Sequence, residues 1–75
     1  MDASLKQALA EELDEPVESL TDSTILNDLR NWDSVTALTI MVMLGEAIGV
    51  PVTADEMAAL KTFGDIAKLV ALKLA

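Results

Sequence analysis

The sequence predicts an all-α fold, a small four-helix bundle with a long first loop and a short third helix. Three observations carry this expectation. The hydrophobic fraction is 52%, drawn from Ala, Leu, Val, Ile and Met with one Phe, one Trp and no Tyr, a palette of helix formers rather than of strands. Apolar residues recur at spacings of three and four in separate segments. Between those segments lie residues that start and stop helices. At 75 residues with no cysteine, the chain is expected to be one domain near the lower size limit at which a core holds without disulfide staples.

In the first segment Leu5, Ala8, Leu9 and Leu13 share a face, which predicts a helix over about residues 3–13. Asp2 or Ser4 is placed to cap its start, and Asp14-Glu15-Pro16 ends it. From Asp14 to Asp33 no period is sustained, and Val17, Leu20, Ile25, Leu26 and Leu29 stand singly among polar residues. Long loops inside small domains are uncommon unless functional or anchored, so these five are expected to pin a crossing loop to the core.

A second helix is predicted over about residues 34–48, closed by a left-handed cap at Gly49 and by Pro51. Thr53-Ala-Asp-Glu56 is a capping-box pattern, with Met57 and Leu60 behind it, and predicts a short helix over about 55–60. Thr62-Phe-Gly-Asp65 opens the last helix, over about 64–74, with Ile66, Leu69, Val70 and Leu74 inward and Lys68 and Lys73 outward.

The second helix is apolar on both sides. On a helical wheel Ala37, Leu38, Met41, Leu44 and Ile48 share the face assigned to the core, while Val35, Thr39, Val42 and Glu46 share the other. A chain this short cannot bury a helix all round, so the second face is expected to meet a partner. At the head of that helix stand Asp33 and Ser34. Either side chain can cap the free amide groups there. The same positive helix end also suits a phosphate ester on the Ser34 oxygen, and the spacing leaves both readings open.

The net charge is −8, and residues 1–33 hold nine of the thirteen acids. Such a chain repels phosphate backbones and anionic lipid, which argues against nucleic acid and membrane surfaces as partners. No run reaches the ~18 apolar residues of a membrane span, so a cytoplasmic protein is expected. With neither His nor Cys, the usual zinc ligand sets are missing and no metal is expected. The same absences, with no Tyr and only isolated glycines, remove the common general bases, nucleophiles and phosphate loops. A non-catalytic protein follows from these.

The arrangement of Ala10-Glu-Glu-Leu13, Leu20-Thr21, Leu29, Asp33-Ser34-Val35, Leu38, Leu44-Gly45-Glu46, Ile48-Gly49-Val50, Thr53-Ala-Asp-Glu56 and Thr62-Phe-Gly-Asp65 resembles the acyl carrier protein family over nearly the whole chain. The resemblance implies a serine, Ser34, modified with 4′-phosphopantetheine by a transferase that uses coenzyme A, with Asp33 as its motif neighbour. It further implies that acyl groups ride as thioesters on the arm, are loaded by a ligase or transferase and are passed to synthase enzymes. The second helix would be the recognition helix, with Val35, Thr39, Val42 and Glu46 as its contact residues. Leu38, Met41, Met43 and Met57 would be candidates for lining an acyl pocket, since some members shelter the chain between the second and third helices. A small charged carrier that visits several enzymes is expected to be a monomer.

The sequence departs from the carriers of fatty acid biosynthesis, whose second helix bears several acids outward. Thr36, Thr39, Gly45 and Ala47 stand in those places, and Asn31-Trp32 precedes the motif where many members have glycine and a small residue. This points to a discrete carrier of a specialised lipid, polyketide or saccharide-modifying pathway. Two alternatives stay open: a peptidyl or aminoacyl carrier, whose second helix is also often poor in acids, and an unmodified helical interaction module docking through Val35 and Val42.

Overall fold

In a computed structural model that describes residues 1–75, the chain forms four α-helices and no β-strand. The first, α1 (Ala3–Leu13), starts at Asp2, whose Oδ1 accepts the Leu5 amide at 2.7 Å. It ends at Asp14, which takes the left-handed conformation (φ 56°) and donates its amide to the Ala10 and Glu11 carbonyls. Asp is among the few non-glycine residues that adopt this conformation readily. Pro16 then prevents a return to helix.

The long segment from Asp14 to Asp33 contains two single 3₁₀ turns, Val17–Ser19 and Leu26–Asp28. Leu20 and Leu26 are fully buried, and Val17 and Leu29 pack on the core. Ile25 corrects the sequence expectation: its side chain is 50% exposed, and what is anchored there is the backbone. Residue 25 forms an isolated antiparallel bridge with Thr62. On either side, the Leu26 amide reaches the Lys61 carbonyl at 3.0 Å and the Phe63 amide reaches the Thr24 carbonyl at 2.8 Å. The Gly64 amide continues the strap to the Asp22 carbonyl at 3.1 Å. A Cβ at position 64 would stand 2.6 Å from that carbonyl oxygen, so the close approach needs a glycine.

The remaining helices are α2 (Ser34–Ile48), α3 (Ala54–Ala58) and α4 (Phe63–Leu74). Gly49 closes α2 in the left-handed region (φ 74°), as glycine does at little cost. Both later helices start one residue sooner than their sequence expectation because capping boxes at Thr53 and Thr62 are complete and helical geometry begins at once. At its far end α3 stops short of the expected residue 60. The Leu60 amide turns back to the Met57 carbonyl, and the amides of Lys61 and Thr62, which a continued helix would direct at the Met57 and Ala58 carbonyls, bond instead to Asp65 Oδ2.

One core joins the elements: Leu9, Ala10 and Leu13 from α1, Leu20 and Leu26 from the loop, Ile40 and Leu44 from α2, Val52, Met57 from α3, and Phe63, Ile66 and Val70 from α4. No polar side chain is buried in it, so burial of apolar surface is the main term holding it together. The caps add local terms. Asp65 Oδ2 accepts the amides of Lys61 at 3.0 Å and Thr62 at 3.1 Å, and those bonds, the Lys61 amide foremost, hold its carboxyl below its ordinary value of 3.8. A carboxyl lowered in the folded state stabilises fully above its unfolded value and loses that contribution as pH falls through the folded one. The gap in melting temperature between the protein and an Asp65→Asn variant is therefore expected to be constant above about pH 5 and to close in more acid solution. Thermal unfolding monitored by circular dichroism across that range checks it, and a gap that persists at the acid end contradicts it.

Candidate functional site

The head of α2 is built around Asp33. Its backbone is extended (φ −141°, ψ −177°), its carbonyl accepts the Ala37 amide at 2.9 Å, and its Oδ1 accepts the Thr36 amide at 2.8 Å. Asp33 is thus the N-cap, and Ser34 is the first residue of the helix. The amide bond from Thr36 is the main reason the Asp33 carboxyl lies below its ordinary value of 3.8, so the cap is ionised at neutral pH. The two capping options left open by the sequence resolve to one residue, and the hydroxyl of Ser34 is left without a structural task. Ser34 is exposed at the positive end of the helix.

Beside it lies an open cleft of about 510 Å³. One wall is α2, through Ser34, Leu38 and Met41; the other is α3 with its exit, through Met57 and Leu60; Trp32 closes the loop side. Of the four candidates for lining an apolar pocket, Leu38, Met41 and Met57 face this cleft, and Met43 does not; it packs on the core elsewhere. Trp32 and Leu60 add further apolar surface to the lining. Trp32 comes from a loop, where no helical period marks it; Leu60, expected on the third helix with Met57, stands just past its end.

The outward side of α2 differs from the wheel assignment. Leu38, assigned to the core, is 57% exposed, whereas Ile40 is fully buried. The buried stripe runs through Ala37, Ile40, Met41, Leu44 and Ile48, at spacings of three and four. The outer stripe is Val35, Leu38 and Val42, all more than half exposed. Thr39 belongs to its flank: it is half-buried and its hydroxyl donates to the Val35 carbonyl at 3.1 Å. Glu46 is exposed and borders a second groove of about 430 Å³ formed with Met41, Val42, Val50 and Val52. Between Ser34 and Ile48, Glu46 is the only charged residue.

A free hydroxyl on the first turn of a helix, at the mouth of an apolar cleft and with the helix dipole behind it, has the chemistry of an attachment point for a phosphate-linked group. The positive helix end favours the phosphodiester, and the open exposure leaves room for a long substituent. These are features of a carrier domain. The chain matches the family model described as phosphopantetheine attachment site over residues 3–70, and it belongs to that family. It is a phosphopantetheine-carrying carrier protein, of a class that works with transferases and synthases. No curated protein sequence matches it. No helix is long and apolar enough to cross a membrane.

Proposed function

We propose that Ser34 is the attachment residue and that the protein is an acyl carrier of a specialised lipid, polyketide or saccharide-modifying pathway. The observation that carries the first part is the division of labour at the head of α2: Asp33 caps the helix, so Ser34 is exposed and free for modification. The attached 4′-phosphopantetheine supplies a terminal thiol on which acyl groups are held as thioesters, an agent the chain itself lacks because it has no cysteine.

The chain's own residues do the rest. Asp33 fixes the helix start and so the direction in which the Ser34 oxygen is presented. Leu38, Met41, Met57 and Trp32 offer apolar surface within reach of that oxygen, and methionine side chains adapt to cargo of different shape. Val35, Leu38 and Val42 offer partners an apolar docking stripe, with Thr39 on its flank and Glu46 as its only charge. That poverty of acids supports a specialised pathway over the housekeeping fatty acid enzymes, and it equally fits a peptidyl or aminoacyl carrier. Asn31-Trp32-Asp33 before Ser34, in place of the glycine pair usual in peptidyl carriers, favours the acyl reading. The protein acts as a non-catalytic monomer in the cytoplasm, loaded by a ligase or acyltransferase and visited by synthase enzymes.

The test is an intact mass before and after incubation with coenzyme A and a broad-specificity phosphopantetheinyl transferase, followed by peptide mapping. One phosphopantetheinyl group on the peptide that contains Ser34 is the expected result. A folded, previously unmodified chain that gains no mass overturns the assignment.

A further inference from the structure

The wall of the cleft opposite Ser34 is the shortest α-helix of the fold. The helix α3 has five residues, far fewer than the ~12–15 at which an isolated helix becomes marginally stable. Met57 seats it in the core, and its first turn is closed by the capping box, in which Glu56 Oε1 accepts the Thr53 amide at 2.9 Å and Thr53 Oγ1 accepts the Glu56 amide at 3.1 Å. A third group converges on the same place from another helix. The ammonium of Lys73, in the last turn of α4, lies 2.8 Å from Glu56 Oε1 and donates to the Pro51 carbonyl at 3.1 Å. Both side chains of this pair are more than two-thirds shielded from solvent, where ion pairs and charge-assisted bonds count for more than at an open surface. The Lys73 bond is also the leading cause that lowers the Glu56 carboxyl from its ordinary value of 4.5.

This is the only ion pair in the chain. It ties the 51–56 segment, which carries Ala54 and leads into Met57 of the cleft wall, to a helix that lines no part of that cleft. Lys73 also lies beyond residues 3–70, the stretch that the family model matches. We propose that Lys73 is a positioning residue: it clamps α3 through Glu56 and Pro51 and so sets the separation between α3 and α2, and with it how closely the cleft beside Ser34 holds apolar cargo. The second half of this inference rests on the reading of Ser34 as the attachment residue; the first half does not.

The physical logic is one of local opening. With the ammonium in place, α3 is held at its first turn by α4 and at Met57 by the core. Without it, the first turn keeps its own capping box and the core contacts of Val52 and Met57, and opening of the segment no longer has to break a bond to the end of α4. The aliphatic stem of residue 73 is not needed for that effect, so Lys73→Met isolates the charge while Lys73→Arg restores a donor.

The experiment compares the protein, Lys73→Met and Lys73→Arg. In the unmodified chains, amide hydrogen exchange is followed at Met57, Ala59 and Leu60, whose amides bond to the Thr53, Asp55 and Met57 carbonyls. Acrylamide quenching of Trp32, the single tryptophan and part of the cleft, is measured alongside. Lys73→Met is expected to speed exchange at those amides by about tenfold, the scale of one charge-assisted hydrogen bond, relative to core amides of α2, and to raise Trp32 quenching; Lys73→Arg is expected to return both toward the parent. On chains loaded through Ser34, octanoyl thioester hydrolysis should accelerate in Lys73→Met while acetyl hydrolysis stays level. Unchanged exchange at α3 overturns the clamp, and faster exchange with unchanged Trp32 quenching overturns its action on the cleft. Failure of the carrier reading shows itself separately, as a chain that takes no arm on Ser34 while the exchange and quenching results stand.

Discussion

Ser34→Ala is expected to abolish loading completely while leaving stability within about 0.5 kcal/mol of the parent. If Ser34 carries the arm as proposed, the variant has no oxygen to esterify. The stability half is the discriminating one. Ser34 is the first helical residue, exposed and not the cap, which is Asp33. Alanine is the better helix former, by a few tenths of a kcal/mol, so the variant is expected to be neutral or slightly more stable. Asp33→Ala provides the contrast. It removes the Oδ1 bond to the Thr36 amide and a negative charge from the positive end of α2, so it is expected to be the more destabilising of the two. Intact mass after treatment with coenzyme A and a transferase, together with urea unfolding of both variants, checks the pair. Mass gain by Ser34→Ala would move the attachment to another hydroxyl, and a stability loss larger than that of Asp33→Ala would return the capping role to Ser34.

The helix starts were legible because each is written in three or four adjacent residues. Asp33, Thr53 and Thr62 announce α2, α3 and α4 through side chains that bond to amides three positions on. Where α3 ends was not legible from the spacing of Met57 and Leu60: the Lys61 and Thr62 amides that would extend it are taken by Asp65 Oδ2, and the Lys61 carbonyl pairs with the Leu26 amide, 35 positions earlier in the chain. The apolar period carries neither piece of information. Ile25 shows the same limit from the other side: an isolated apolar residue in a polar loop reads as an anchor, yet the strap between residues 22–26 and 61–64 is made of backbone. The site divides in the same way. Ser34, the proposed attachment residue, stands in a short motif, whereas the cleft beside it is assembled from α2, α3 and the loops around them, and Trp32 enters it by tertiary placement alone.

The clearest misreading, that of the α2 wheel, yields the largest expected change in stability. With apolar residues at Val35, Ala37, Leu38, Ile40, Met41, Val42, Met43 and Leu44, almost any stripe can be drawn down the helix, so periodicity does not choose the buried one. Packing does: Ile40 and Leu44 are fully buried against the rest of the core while Leu38 is 57% exposed. Ile40→Ala is therefore expected to cost about 2–5 kcal/mol through lost burial and the cavity left behind, a large share of the ~5–15 kcal/mol typical of whole domains. Leu38→Ala should change stability by about 0.5 kcal/mol at most, because most of the side chain is already in water. Both variants remove aliphatic carbon from the same helix two residues apart, so propensity and composition nearly cancel and the difference reports burial. Urea unfolding followed by far-ultraviolet circular dichroism decides it. Equal costs, or a larger cost at Leu38, would mean that α2 is rotated about its axis and that the apolar stripe beside Ser34 is core rather than a docking face.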